Sequence, residues 1–239
     1  MDIILIPGLW LDGSCWDGVV PPLESAGHRA RPLTLPGMEG KDAARSGITL
    51  RDHVDAVVAA IDAAEGPVLL VGHSAGSGIA HAAVDARPDR VARAVYVGGF
   101  PTPDGRPLLT GLPAENGEVR MPDWKEVGED ASIADLDEPA LARLYAEAIP
   151  VPEGVLTQPQ QLKDPRRYDV PVTAVCPEYT AEELRGWMEE GSEGVAELTK
   201  IRDVDYVDLP GGHWPQLVQP ERLARVLLDA ADRTDGATR

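Results

Sequence analysis

The feature that most constrains this chain is the run Val68-Leu69-Leu70-Val71, which passes into Gly72-His73-Ser74-Ala75-Gly76 and then into a helical pattern over about Ser77–Ala86. An uninterrupted apolar run bounded by Gly66-Pro67 suits a strand whose two faces are both buried, as in a parallel sheet covered by helices. Turning from such a strand into a helix within five residues demands a sharp bend, and small residues on both flanks supply the room. The spacing is that of a G-x-S-x-G elbow, in which the serine stands clear of the sheet edge. The helix that follows directs its positive N-terminal end toward it. Ser74 is therefore a candidate nucleophile.

The rest of the chain repeats the alternation. Short apolar runs at Asp2–Ile6, Arg31–Leu35, Ala92–Val97, Val172–Val175 and Asp205–Leu209 read as further strands. Helices are expected near Trp16–Ala26, Leu50–Ile61, Ala181–Met188 and Pro220–Ala231, with Thr49 as a cap and Asp52 in the first turn of the second of these. This predicts an α/β fold: a mainly parallel sheet with helices on both faces. From Pro101 to Arg167 the alternation lapses into a stretch rich in Pro, Gly, Asp and Glu, with one helix expected over Pro139–Ala148. The expected organisation is a core made of residues 1–100 and 168–239, with 101–167 inserted as a lid over the strand ends.

Gly72, Gly76 and Gly78 also fit a phosphate loop of the short-chain dehydrogenase kind. That loop belongs after the first strand rather than the third, and no tyrosine here has a lysine four residues later. With 40 Asp and Glu against 22 Lys and Arg, the formal charge of −18 disfavours nucleic acid and anionic membranes as partners. A small-molecule substrate remains, and oligomeric state is not readable. Two cysteines, Cys15 and Cys176, are too few for a disulfide framework or a cysteine-rich metal site; two buried thiols are expected, with a single bridge as the alternative. No segment approaches about 20 apolar residues, and Met1 runs into Ile3-Ile4-Leu5-Ile6 without a basic region, so a cytoplasmic location is expected.

A serine nucleophile needs a base. Gly211-Gly212-His213-Trp214-Pro215 follows the last expected strand, where a loop imidazole can swing onto the serine hydroxyl. His28, His53, His73 and His81 lack that setting and read as structural.

On these residues the chain resembles the α/β-hydrolase superfamily over nearly its whole length, and within it the small esterases related to plant methylesterases and hydroxynitrile lyases. The resemblance is carried by Pro7-Gly8-Leu9-Trp10 with Trp16, by Leu23-Glu24-Ser25-Ala26-Gly27-His28, by the Ser74 elbow and by Gly212-His213. It implies an oxyanion hole made of the Leu9 and Ala75 backbone amides. Lyases of this kind carry a threonine where Gly8 stands and a lysine where Trp214 stands, so cyanohydrin cleavage is not expected. Pro7 replaces the histidine usual before the oxyanion glycine.

The family usually draws its third member, an aspartate, from the loop after the strand that follows the lid. Here that position falls near Thr180, and Glu178 is the nearest carboxylate. Asp104, after the preceding strand, is the alternative. The expectation is a serine esterase using Ser74, His213 and Glu178, with no metal or organic cofactor. Its pocket would be lined by Trp10 and by Leu108, Leu109, Trp124 or Leu144. Two other classes stay open: a receptor-like binding protein on the same scaffold, and a cofactor-free lyase or oxygenase with His213 as base.

Overall fold

The computed structural model describes residues 1–236. Its strands are β1 (Asp2–Ile6), β2 (Arg29–Pro32), β3 (Val68–His73), β4 (Val91–Val97), β5 (Glu118–Val119), β6 (Val151–Pro152), β7 (Val172–Cys176) and β8 (Val204–Asp208). The helices are α1 (Val20–Ser25), α2 (Leu50–Asp62), α3 (Gly76–Ala86), α4 (Glu138–Glu147), α5 (Glu153–Thr157), α6 (Ala181–Glu189), α7 (Pro215–Val218) and α8 (Pro220–Gly236). Six strands form one parallel sheet in the order β2-β1-β3-β4-β7-β8. This is the layering expected from the sequence, a parallel sheet with helices on both faces.

The central strands β1, β3, β4 and β7 are mostly apolar because both faces are covered, with Asp2, His73, Arg93 and Thr173 the buried polar exceptions. Ile3, Leu5, Leu69, Val71, Val95 and Val97 face Trp16, Leu23, Leu223 and Leu227, the layer of α1 and α8. Ile4, Ile6, Leu70, Ala94 and Tyr96 face Val54, Val57, Ile79, Ala83 and Leu184, the layer of α2, α3 and α6. Each fully buried aliphatic side chain contributes about 1.5–3 kcal/mol relative to exposure. The start of α2 is fixed by Asp52, whose carboxylate accepts from both the amide and the hydroxyl of Thr49 at 2.8 and 2.7 Å.

Two elements differ from the sequence reading. In place of one helix over Trp16–Ala26, a 3-10 turn covers Gly13–Trp16 and α1 begins only at Val20. The Asp12 carboxylate accepts from the Ser14 amide at 2.9 Å and starts the turn early, while Pro21 and Pro22 fit only the first turn of a helix. β2 lies earlier than Arg31–Leu35, pairing Asp2 with Arg29 and Leu5 with Pro32. It is an edge strand with little burial, so Leu33 and Leu35 mark the loop that follows rather than the strand. Cys15 and Cys176 are both buried free thiols.

Residues 98–171 leave the sheet after β4 and return at β7, its neighbour. They hold the small antiparallel pair β5–β6, a 3-10 turn at Asp130–Ile133, α4 and α5. Among the described residues no helix is long and apolar enough to cross a membrane.

Candidate active site

Ser74 sits between the last residue of β3 and the first turn of α3 with φ of 53°, the left-handed region that a non-glycine residue enters only under constraint. Its amide donates to the Val97 carbonyl at 2.9 Å, which pins the bend to β4. Gly72 is required by close approach: a Cβ there would lie 2.4 Å from the Gly76 carbonyl oxygen.

His213 comes from the loop between β8 and α7. Its Nε2 lies 2.9 Å from Ser74 Oγ, and its Nδ1 lies 2.5 Å from Glu178 Oε2, just past the end of β7. The fold thus brings together three residues separated by 139 and 35 positions. Burial of the Glu178 carboxyl opposes its ionisation. The hydrogen bond and charge of His213, with a donor from Ser132, outweigh that and hold it below the usual carboxylate value. An ionised carboxylate accepts the Nδ1 proton and leaves the Nε2 lone pair facing the serine hydroxyl. Asp104, the other candidate, is elsewhere: its Oδ1 accepts from the Leu162 amide at 2.8 Å within the insertion.

Leu9 and Ala75 both line the cavity beside Ser74, and neither amide donates to another group among the described residues. Trp10, at φ of 65°, turns the chain sharply just after Leu9. The Ala75 amide opens α3, at the positive end of that helix.

His73 does more than fill the variable place in the elbow. It is fully buried, and its Nδ1 receives Gln216 Nε2 at 3.1 Å, so the ring proton is on Nε2, which donates to the His213 carbonyl at 2.7 Å. Burial first, and the neighbouring His213 second, push its pKa down to about 3, so it is a neutral strut under the His213 loop. His53 Nε2 bonds the Pro36 carbonyl, and His81 lies between Tyr96 and Glu197; neither approaches Ser74.

Beside Ser74 opens a cavity of about 600 Å³ walled by Leu9, Trp10, Phe100, Leu108, Leu112 and Trp124, with Leu109 and Val127 at its exposed edge. Trp10 is held by a bond from its Nε1 to the Val119 carbonyl at 3.1 Å and meets Trp124 edge-on at 5.8 Å. Trp124 in turn lies 6.3 Å from the His213 ring. The expected wall residue Leu144 is not there. It is 4% exposed, packed in the layer with Trp16 and Trp214, because its face of α4 turns to the core rather than to Ser74. Charge at the mouth is limited to Arg106, paired with Glu193, and Glu129. No group of three or more His, Cys, Asp or Glu among the described residues could hold a metal ion.

The sequence reading did not single out Ser132, Gln216, Phe100 or Leu112. Gln216 lies three residues past His213, in the first turn of α7, and is the nearest of them in sequence to a residue already singled out. The others reach the site through folding of the insertion and carry no local signature.

Comparison with known proteins places this architecture in context. A profile described as "Alpha/beta hydrolase family" matches residues 3–226. The chain is 31% identical over 245 residues to a pyrethroid hydrolase from Sphingobium wenxiniae, covering 97% of this chain and 88% of that protein. It is 33% identical over 115 residues to a carbendazim hydrolyzing esterase from a Nocardioides species, covering 47% of each. The solved structure of a methylesterase from Arabidopsis superposes with a TM-score of 0.75 at 16% identity, covering 97% of this chain and 99% of that one.

Proposed function

The chain belongs to the α/β-hydrolase family and is a carboxylic ester hydrolase; from that premise we propose that it cleaves neutral, bulky, apolar esters through an acyl-enzyme on Ser74. The observation that carries this is the unbroken line from Glu178 Oε2 to His213 Nδ1 and from His213 Nε2 to Ser74 Oγ, at 2.5 and 2.9 Å, opening on an apolar cavity.

In the first half of the reaction, Ser74 Oγ attacks the ester carbonyl while His213 Nε2 takes its proton. The carbonyl oxygen becomes an oxyanion facing the Leu9 and Ala75 amides, each such donor being worth roughly 100–1,000-fold in rate. Glu178 stabilises the imidazolium, which then passes its proton to the departing alkoxide and releases an alcohol. In the second half His213 takes a proton from water, the hydroxide attacks the acyl-enzyme, and the acid leaves as Ser74 regains its proton.

Cavity chemistry supports the substrate class. A space of about 600 Å³ walled by leucines, tryptophans and Phe100 favours esters larger and more apolar than a methyl ester of a short acid. The formal charge of −18 disfavours anionic substrates. A relative named pyrethroid hydrolase points the same way. The lid role of residues 101–167 belongs to this reading: they supply Leu108, Leu112 and Trp124 to the walls, next to Phe100.

The test uses a p-nitrophenyl ester series and a fluorophosphonate probe. Turnover and labelling that both vanish in Ser74→Ala, with an unchanged melting transition, are the expected results. Labelling without turnover of any ester would favour a binding protein, and turnover that survives Ser74→Ala would remove the acyl-enzyme.

A further inference from the structure

The carboxylate of Glu178 has two oxygens, and only one faces His213. The other, Oε1, receives the hydroxyl of Ser132 at 2.5 Å. Ser132 belongs to the 3-10 turn Asp130–Ile133 of the insertion and is 5% exposed, so bulk water is poorly placed to substitute for it. The same residue acts a second time: its backbone carbonyl accepts from the His213 amide at 2.8 Å. Three residues on, Asp135 Oδ2 accepts from the Gly212 amide at 2.6 Å. A Cβ at position 212 would lie 2.2 Å from Asp135 Oδ1 and 2.6 Å from the Ser132 carbonyl oxygen, so the loop admits only glycine where the turn docks.

We propose that Ser132 is a positioning residue for the acid–base pair, its hydroxyl fixing the Glu178 carboxylate and its carbonyl fixing the His213 backbone; the proposal rests on the acyl-enzyme reading above. The need for such a clamp follows from the acid being a glutamate. Compared with aspartate it carries one more rotatable bond, and an unrestrained carboxylate would spend part of its time turned away from Nδ1. A donor on the second oxygen holds the carboxylate plane and favours its ionised form, the direction in which its proton affinity is displaced. The insertion therefore supplies part of the catalytic alignment as well as walls of the pocket.

The experiment compares kcat and KM on a p-nitrophenyl ester that the wild-type protein turns over. Ser132→Ala should lower kcat about tenfold with KM within about twofold, the scale of a lost hydrogen bond to a charged group. Ser132→Thr, which keeps the donor, should recover most of the loss. In a Glu178→Ala background, where there is no carboxylate to orient, Ser132→Ala should change kcat by less than about twofold. Should Ser132→Ala lose its melting transition, Ser132→Cys, close in size with a much weaker donor, is read in its place. A kcat within twofold of wild type, a loss that threonine does not recover, or the same tenfold loss without Glu178 would each overturn the proposal. Ser74→Ala on the same ester separates the two readings, since turnover surviving there removes the acyl-enzyme whatever Ser132 does.

Discussion

Replacing Glu178 by glutamine changes one oxygen to an amide nitrogen and removes a charge while preserving shape. Two arrangements are open to the new side chain. If its amide nitrogen faces His213, Nδ1 must accept, the ring proton moves to Nε2, and the imidazole can no longer take the Ser74 proton. If its carbonyl faces Nδ1, the amide must donate to Ser132 Oγ, which a hydroxyl permits because it can turn to accept. The second arrangement keeps the productive tautomer, so the remaining loss is electrostatic. An imidazolium and a carboxylate with charge centres about 4 Å apart attract by about 4 kcal/mol at an effective dielectric constant of about 20. Both side chains are mostly shielded, at 16% and 20% exposure, and some of that attraction is already spent in the resting site. A drop in kcat of about 100–1,000-fold is expected, with KM little changed. The assay is steady-state hydrolysis of a p-nitrophenyl ester beside a thermal melt. Turnover within about threefold of wild type would refute the reasoning, above all if Asp104→Asn, expected to act only through its bond to Leu162, proved the slower enzyme.

The buried neutral His73 makes stability pH-dependent. Its value falls from 6.5 to about 3 on folding, so between those limits the unfolded chain binds the extra proton. The contribution is fully present above about pH 6.5 and declines by about 1.4 kcal/mol per unit as pH falls. From pH 7 to 5, urea denaturation should show wild type losing about 2 kcal/mol more than His73→Asn, and equal losses would argue against it. At the elbow, Gly72→Ala would set a methyl group 2.4 Å from a backbone oxygen that cannot step aside. It should cost about 3 kcal/mol, a melting-temperature fall of about 6–12 °C for a chain of this size, with loss of fluorophosphonate labelling; an unaltered melt would contradict the close approach.

The legible parts of this molecule were those with local causes. β1, β3, β4 and β7 announced themselves because strands covered on both faces read as near-continuous apolar runs, and Ser74 because a strand-to-helix bend needs glycines at fixed places. β2 was displaced by two residues because an edge strand carries no such signature and the leucines beyond it do. The first helix broke in two because the Asp12 cap is a side-chain bond that periodicity does not register. Glu178 was singled out as the carboxylate nearest the position that the family resemblance implies, two residues short of it, and it lies against His213. Leu144 was misplaced because a helical leucine in an insertion can face either the cavity or the core, and only the docking of α4 decides. Ser132 was invisible, for its partner is 46 residues away and nothing about a serine in an acidic loop marks it.

β4 and β7 are adjacent, so residues 98–171 depart and rejoin the sheet at one doorway. Such an excursion could be exchanged wholesale for another of different shape while the strands on either side kept their pairing, and a new cavity would come with it. The exchange would nonetheless strip Glu178 Oε1 of its hydroxyl partner. Under the positioning role proposed for Ser132, any transplanted segment must bring a donor to that oxygen, which ties the remodelling of the pocket to the orientation of Glu178.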